Sequence, residues 1–275
     1  MPHTIPFKLS KSKLTIAILC GTLSIGGSIS SNNLPASANN LRLENPDRPV
    51  LPKAVARKLI QRIVKDTGLS PKNLKITEIK PEKFNGCLGI YEGPNQVCIA
   101  MIIPGWKAIV TSPTQSYVYH LDRNATRIIR NTTASGAKPA IRVSFETFGN
   151  ISPIALNVIF SSRISGDLLG QMSNTVLTED GEIILYQSSP TTRFAPQLIK
   201  TLSSEQINTF KTSLENQRFP NLTGLTYLTS ASLADYPTTT YQTQLTSVQF
   251  IDLEKKKLPR SLQRTISTWQ TLIQK

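Results

Sequence analysis

The sequence predicts an α+β protein: two small domains, each an antiparallel sheet with one or two packed helices, after an N-terminal signal peptide. Three observations predict this. Apolar residues recur at helical spacing in separate stretches that begin near Pro52, Ser203 and Pro259. The stretches between them alternate apolar and polar residues and are rich in Val, Ile, Thr and Tyr, which is strand material. A small, polar run, "NTTASGAKPAIR" from Asn131 to Arg142, divides two such sets. The expected divisions are a signal peptide over 1–38, a helix-plus-meander unit over 48–131, a linker over 132–150 and a second α+β unit over 151–275.

The leader is read from three parts in order. Lys8, Lys11 and Lys13 give a positive start, Leu14 to Ile29 an apolar middle, and Ala36-Ser37-Ala38 a small-residue exit. Cleavage is therefore expected after Ala38, with Ala36 and Ala38 as the recognition pair. The apolar run is short for a bilayer span and holds Gly21, Gly26 and Gly27. Leu19 is too large to precede a lipidated Cys20. A secreted or periplasmic product with no transmembrane segment is expected.

Without residues 1–38 and their three lysines, 237 residues remain and the formal charge falls from +14 to +11. Apart from Lys255 to Lys257 the basic residues are spread out, a diffuse field that serves solubility and suits anionic partners such as acidic polysaccharide. Aromatic residues are few and not interleaved with the basic ones, so no nucleic-acid partner is expected.

Cys87 and Cys98 survive the cleavage and are expected to pair in an oxidising compartment. With His120 the one histidine left, Cys and His cannot complete a zinc set, so no metal or cofactor is expected. The spacing is also far from C-x-x-C, the redox pattern. Gly93, Pro94 and Asn95 are turn formers, which predicts an extended arm, a turn and a return arm closed by a disulfide. Closing so small a loop contributes about 3 kcal/mol in the chain-entropy description.

In the first unit, "PKAVARKLIQRIVKD" from Pro52 reads as a helix with Val55, Leu59, Ile60 and Ile63 on its apolar face and Gly68 as its C-cap. "NLKITEIK" alternates through Leu74, Ile76 and Ile79. "IAMIIPGWKAIVTS" predicts two strands parted by Pro104-Gly105, and "SYVYHLD" and "ATRIIR" predict two more. Tyr117, Tyr119 and Leu121 fall on one face, Val118 and His120 on the other. Helix, turn and the hairpin carrying Tyr117, Tyr119 and Asp122 resemble the PepSY fold family over Leu51 to Arg130. That resemblance implies an envelope or secreted module, of a kind that in some proteins precedes a metalloprotease and inhibits or chaperones it. The cysteine pair is an addition to the family pattern.

In the second unit, Leu156, Val158 and Phe160 alternate as a strand face, and Glu179-Asp180-Gly181 reads as a hairpin turn. Ser203 with Gln206 reads as a capping box before a helix lined by Ile207, Phe210 and Leu214. "TTTYQTQLTSVQFIDL" is strand material, and Leu262, Ile266, Trp269 and Ile273 mark a closing helix after Pro259. From Ile154 to Ile273 this order, with the two helix openings "LSSEQ" and "LPRSLQ", resembles the emfourin-type inhibitors of thermolysin-like proteases. The family's double-glycine turn after an acidic residue is replaced by Arg163 and a single Gly166, so no inhibitory residue is carried over.

Motifs for chemistry are sparse. His120 has no G-x-S-x-G partner, and the S-x-x-K match at Ser135 lacks its companions. Dispersed carboxylates for a hydrolase leave no sequence signature. Asn124, Asn131 and Asn221 each begin an Asn-x-Ser/Thr triplet. Trp106 and Trp269 read as core residues, Trp106 also as a residue placed to stack on a ligand. The expectation is an exported, non-enzymatic protein-binding module, in its most specific form a protease inhibitor. The stapled loop, with Tyr91, Glu92, Gly93, Pro94 and Asn95, is the presented element. The rival expectation is a basic envelope protein that holds anionic polysaccharide or cell wall.

Overall fold

The structure, a computed structural model, describes residues 49–146, 153–166, 169–229 and 236–274. The expected leader, with Ala36, Ala38 and Cys20, lies outside the described residues. Asp47–Lys275 is one of two units into which the chain divides, and every described element belongs to it.

Helix α1, Lys53–Thr67, follows from its stripe: Val55, Leu59 and Ile63 are buried and Ile60 packs beside them. Pro52 caps the start, and Gly68 stops the helix in the left-handed region at φ +70°, where a Cβ would strain the backbone. Four antiparallel strands follow in the order β1-β2-β3-β4: Lys75–Phe84, Ile103–Thr111, Ser116–Asp122 and Ile128–Asn131. In β1 a bulge falls between Ile76 and Glu78, so Thr77 is the extra residue and Ile79 returns to the buried face. This accounts for the broken alternation of Leu74, Ile76 and Ile79.

Pro104 and Gly105 do not split β2 as expected; the strand runs straight through them. Gly105 is what permits it. A Cβ there would collide with the Leu121 carbonyl and the Phe84 ring, so this rung closes only around glycine. The β3–β4 turn is held by Asp122, whose carboxylate accepts from the backbone N–H of Thr126 (2.8 Å) and Arg127 (3.0 Å).

The second sheet has eight strands: β5 (Arg142–Phe145), β6 (Val158–Ser165), β7 (Met172–Thr178), β8 (Glu182–Ser188), β9 (Gln197–Thr201), β10 (Leu225–Leu228), β11 (Thr238–Gln242) and β12 (Ser247–Ile251). Their spatial order is β5-β10-β12-β11-β6-β7-β8-β9. The β10–β12 pair is parallel and the others are antiparallel. Helices α2, Ser204–Asn216, and α3, Arg260–Gln274, cover one face. The Ser203–Gln206 capping box forms, and Ile207, Phe210 and Leu214 are buried as expected. Phe160 is the hub, with ring centroids 5.2 Å from Phe210 and 4.8 Å from Trp269. Leu156 does not join β6; it stands 89 % exposed before the strand.

The α+β class is therefore correct, with helices on antiparallel-dominated sheets. The expected linker is where the structure departs from the sequence reading. Ala134 and Ala137 are fully buried, and residues 142–145 are strand β5. Ser135 is buried, its hydroxyl donating to the Asn131 carbonyl (2.7 Å) and accepting from Val118 N–H (2.9 Å). Small residues there allow close packing rather than free motion. Tyr227 on β10 donates to the Ala134 carbonyl, and Glu78 on β1 accepts from Phe145 N–H on β5. The small sheet is consequently covered on both faces at its central strands, β2 and β3. Tyr117, Tyr119 and Leu121 face α1, while Ile109 and Val118 enter the core shared with the large sheet.

Candidate protein-binding site

Cys87 and Cys98 are joined by a disulfide, with Cα atoms 5.4 Å apart. The chain between β1 and β2 is not the pair of extended arms expected. Residues 85–102 contain no strand, and the disulfide closes an irregular loop. Several of its main-chain groups are satisfied by side chains. Asn85 Oδ1 accepts from the N–H groups of Cys87 and Gly89, both at 3.1 Å. Gln96 donates to the Ile90 carbonyl (2.9 Å) and accepts from Glu92 N–H (2.8 Å). Arg127 donates to the Gly86 carbonyl at 2.8 Å.

Two anchors come from far along the chain. Asn221, buried between α2 and β10, accepts from Tyr91 N–H (2.7 Å) and donates to the Tyr91 carbonyl (2.8 Å), so one amide reads both main-chain groups of one residue. It is seated in turn by Thr133, and Asn131 donates to its carbonyl at 2.7 Å. His120 lies 2.7 Å from the Leu88 carbonyl through Nδ1 and stacks on Phe84. A carbonyl only accepts, so Nδ1 carries the proton. Burial and the neighbouring Lys107 push the His120 pKa down to about 4. His120 is thus a strut beneath the loop, not an exposed base.

The five residues singled out from sequence are spread over this frame. Tyr91 is half-buried and pinned by Asn221, and Gly93 is half-buried in the turn. Glu92, Pro94 and Asn95 are exposed at the tip. The feature missed from sequence is the descending limb. Val97, Ile99, Met101 and Ile102 are exposed by 92, 72, 50 and 75 %, four large apolar side chains within six residues. The apolar run from Ile99 predicts a strand, but residues 99–102 are irregular here. Leu88 and Ile90 of the same loop are buried, so the loop has an inner apolar foot and an outer apolar edge.

Other singled-out residues prove structural. Trp269 is core, and Trp106 is half-buried against the α1 side, donating to the Arg123 carbonyl at 3.4 Å. Asn131 and Asn221 are buried and bonded, so neither presents an acceptor amide for a glycan in the folded chain. Tyr119 donates to Asp66 on α1 at 3.2 Å, tying helix to sheet. Among the described residues, no helix is long and apolar enough to cross a membrane.

Residues 56–129 match a family described as a domain of unknown function, DUF8738. No curated protein and no solved structure matches the chain. The matched span begins inside α1 and ends inside β4, so it holds the small sheet and the stapled loop together.

Proposed function

We propose that the chain is an exported, non-enzymatic protein-binding module that engages its partner through the stapled loop. The observation that carries this reading is the exposed apolar edge Val97, Ile99, Met101 and Ile102 on a loop already fixed in place. Exposed apolar side chains concentrated in one place mark interaction surfaces. The disulfide, Asn221 and His120 hold the loop before any partner arrives, so little ordering entropy remains to be lost on binding. In its most specific form the partner is a secreted protease, with the tip Glu92–Asn95 and the apolar edge lodged across its cleft. The PepSY-like and emfourin-like patterns support that form.

The test is capture from the host's secreted fraction under non-reducing conditions, then titration of the captured protease with the purified chain. One-to-one binding that resists salt, blocks cleavage and weakens at least about tenfold in Ile99→Asp/Ile102→Asp supports the reading. Retention on acidic polysaccharide that falls with salt and ignores those substitutions, with no protease held, would replace it with the rival expectation.

A further inference from the structure

A groove lies on the face of the large sheet that α2 and α3 leave uncovered. Side chains one residue out of phase with Phe160, Leu177 and Tyr241 point to that face. The register sets one row of them across five strands: Gln249, Thr240, Arg163, Asn174 and Tyr186, each opposite the next. Neighbouring strands are about 4.8 Å apart, so the row presents a polar group at each such step. A groove of about 310 Å³ follows it, walled on one side by Pro153, Ile154 and Ala155. That volume is at the lower end of small-ligand sites, about 300–1,000 Å³.

The lining is chemically one-sided. Among the described residues, Arg163 is its one charged group, and no carboxylate lines the groove. Arg163 is half-buried, and among the described residues nothing bonds its guanidinium. A sheet interior is an unusual place for a free guanidinium, since a half-buried cation without a counter-charge is costly. Its flanking groups are set for ligand. Ser161 donates to Asn174 Oδ1 at 2.7 Å, which leaves the Asn174 amide N–H groups to donate outward. Gln249 donates to Thr238 at 3.2 Å, which leaves its carbonyl oxygen to accept. Tyr186, 42 % exposed, ends the row with a ring face.

A guanidinium takes a carboxylate through two parallel N–H bonds. Amides and hydroxyls on both sides offer donors and acceptors in turn, which matches a ligand dense in hydroxyl groups. A peptide main chain would instead pair with a sheet edge, and this is a face. We infer that the groove binds a carboxylate-bearing sugar, with the carboxylate on Arg163, hydroxyls on Thr240, Asn174 and Gln249, and the ring against Tyr186. The site stands apart from the protein-binding loop, none of whose residues line the groove.

The test titrates the purified protein with a galacturonic acid disaccharide, followed by calorimetry. Parallel arms use the neutral galactose disaccharide, acetate and a tripeptide with a free C-terminus. Saturable binding of the acidic disaccharide is expected. It should weaken about tenfold or more in Arg163→Gln and severalfold in Tyr186→Ala. It should be unchanged in Ile99→Asp/Ile102→Asp, with the circular dichroism of each variant as the check on folding. The inference is overturned if Arg163→Gln binds as well as the wild type, or if the neutral disaccharide binds equally. It is overturned too if acetate or the tripeptide matches the acidic sugar, or if the acidic disaccharide shows no saturable binding.

Discussion

His120 and Asn221 show how single polar groups fix the loop. The His120 ring is sealed beneath Leu88 and Phe84, opposite Lys107 across the β2–β3 rung, with Glu82 3.5 Å from that lysine. Its folded pKa, about 4, lies below the ordinary 6.5. Between those values the unfolded chain takes up a proton that the folded chain refuses. The contribution is complete above pH 6.5 and is lost as pH falls toward 4. At about 1.4 kcal/mol per pH unit, the full window is worth on the order of 3 kcal/mol. The fall in urea midpoint from pH 7 to pH 4.5 should therefore be larger in wild type than in His120→Gln; equal falls in the two would remove His120 from the account. Asn221→Ala strips the bonds to Tyr91 and leaves its part-buried main-chain groups unpaired, a cost of about 1–2 kcal/mol. Amide exchange over residues 88–97 should quicken while α3 stays protected; uniform quickening would contradict a local role for Asn221.

At the scale of elements, local pattern and local chemistry agree in the helices and hairpins. The stripe of α1, the capping box of α2 and the Glu179-Asp180-Gly181 turn were each legible, because helix spacing, cap and turn are written within a few residues. The stapled loop was half legible. Two cysteines in an oxidising setting predict the bond, but turn formers between them predicted paired arms, and the bond instead closes an irregular loop. Replacing both cysteines with serine should cost about 3 kcal/mol by loop entropy, read from the denaturation midpoint. The fold should persist, since Asn221, His120 and Gln96 still hold the loop; complete unfolding of that variant would mean the side-chain anchors contribute little.

Across the whole molecule, the small sheet cannot be separated from the large one without exposing Ile109, Val118 and Ala134. The two tryptophans report on opposite ends of this arrangement, Trp106 in β2 and Trp269 in α3. Fluorescence unfolding of Trp106→Phe and Trp269→Phe should give the same midpoint once each variant's own stability change is subtracted by circular dichroism. Two separated midpoints would mean that the halves are independent and that the buried 131–137 segment is no more than a tether.

The α+β class, the helices with their buried stripes, most strands and the Cys87–Cys98 pairing are legible from the residues alone. Each of these follows from backbone periodicity or from chemistry within a short span. Only the folded chain shows that Ala134, Ser135 and Ala137 of the expected linker are buried, that β10 runs parallel to β12, and that Arg163 sits mid-row between Thr240 and Asn174. It alone decided that Asn221 grips Tyr91 across 130 residues. Such pairings depend on which strands become neighbours and which faces are covered from the far side, and neither is encoded in the spacing of residues along one element.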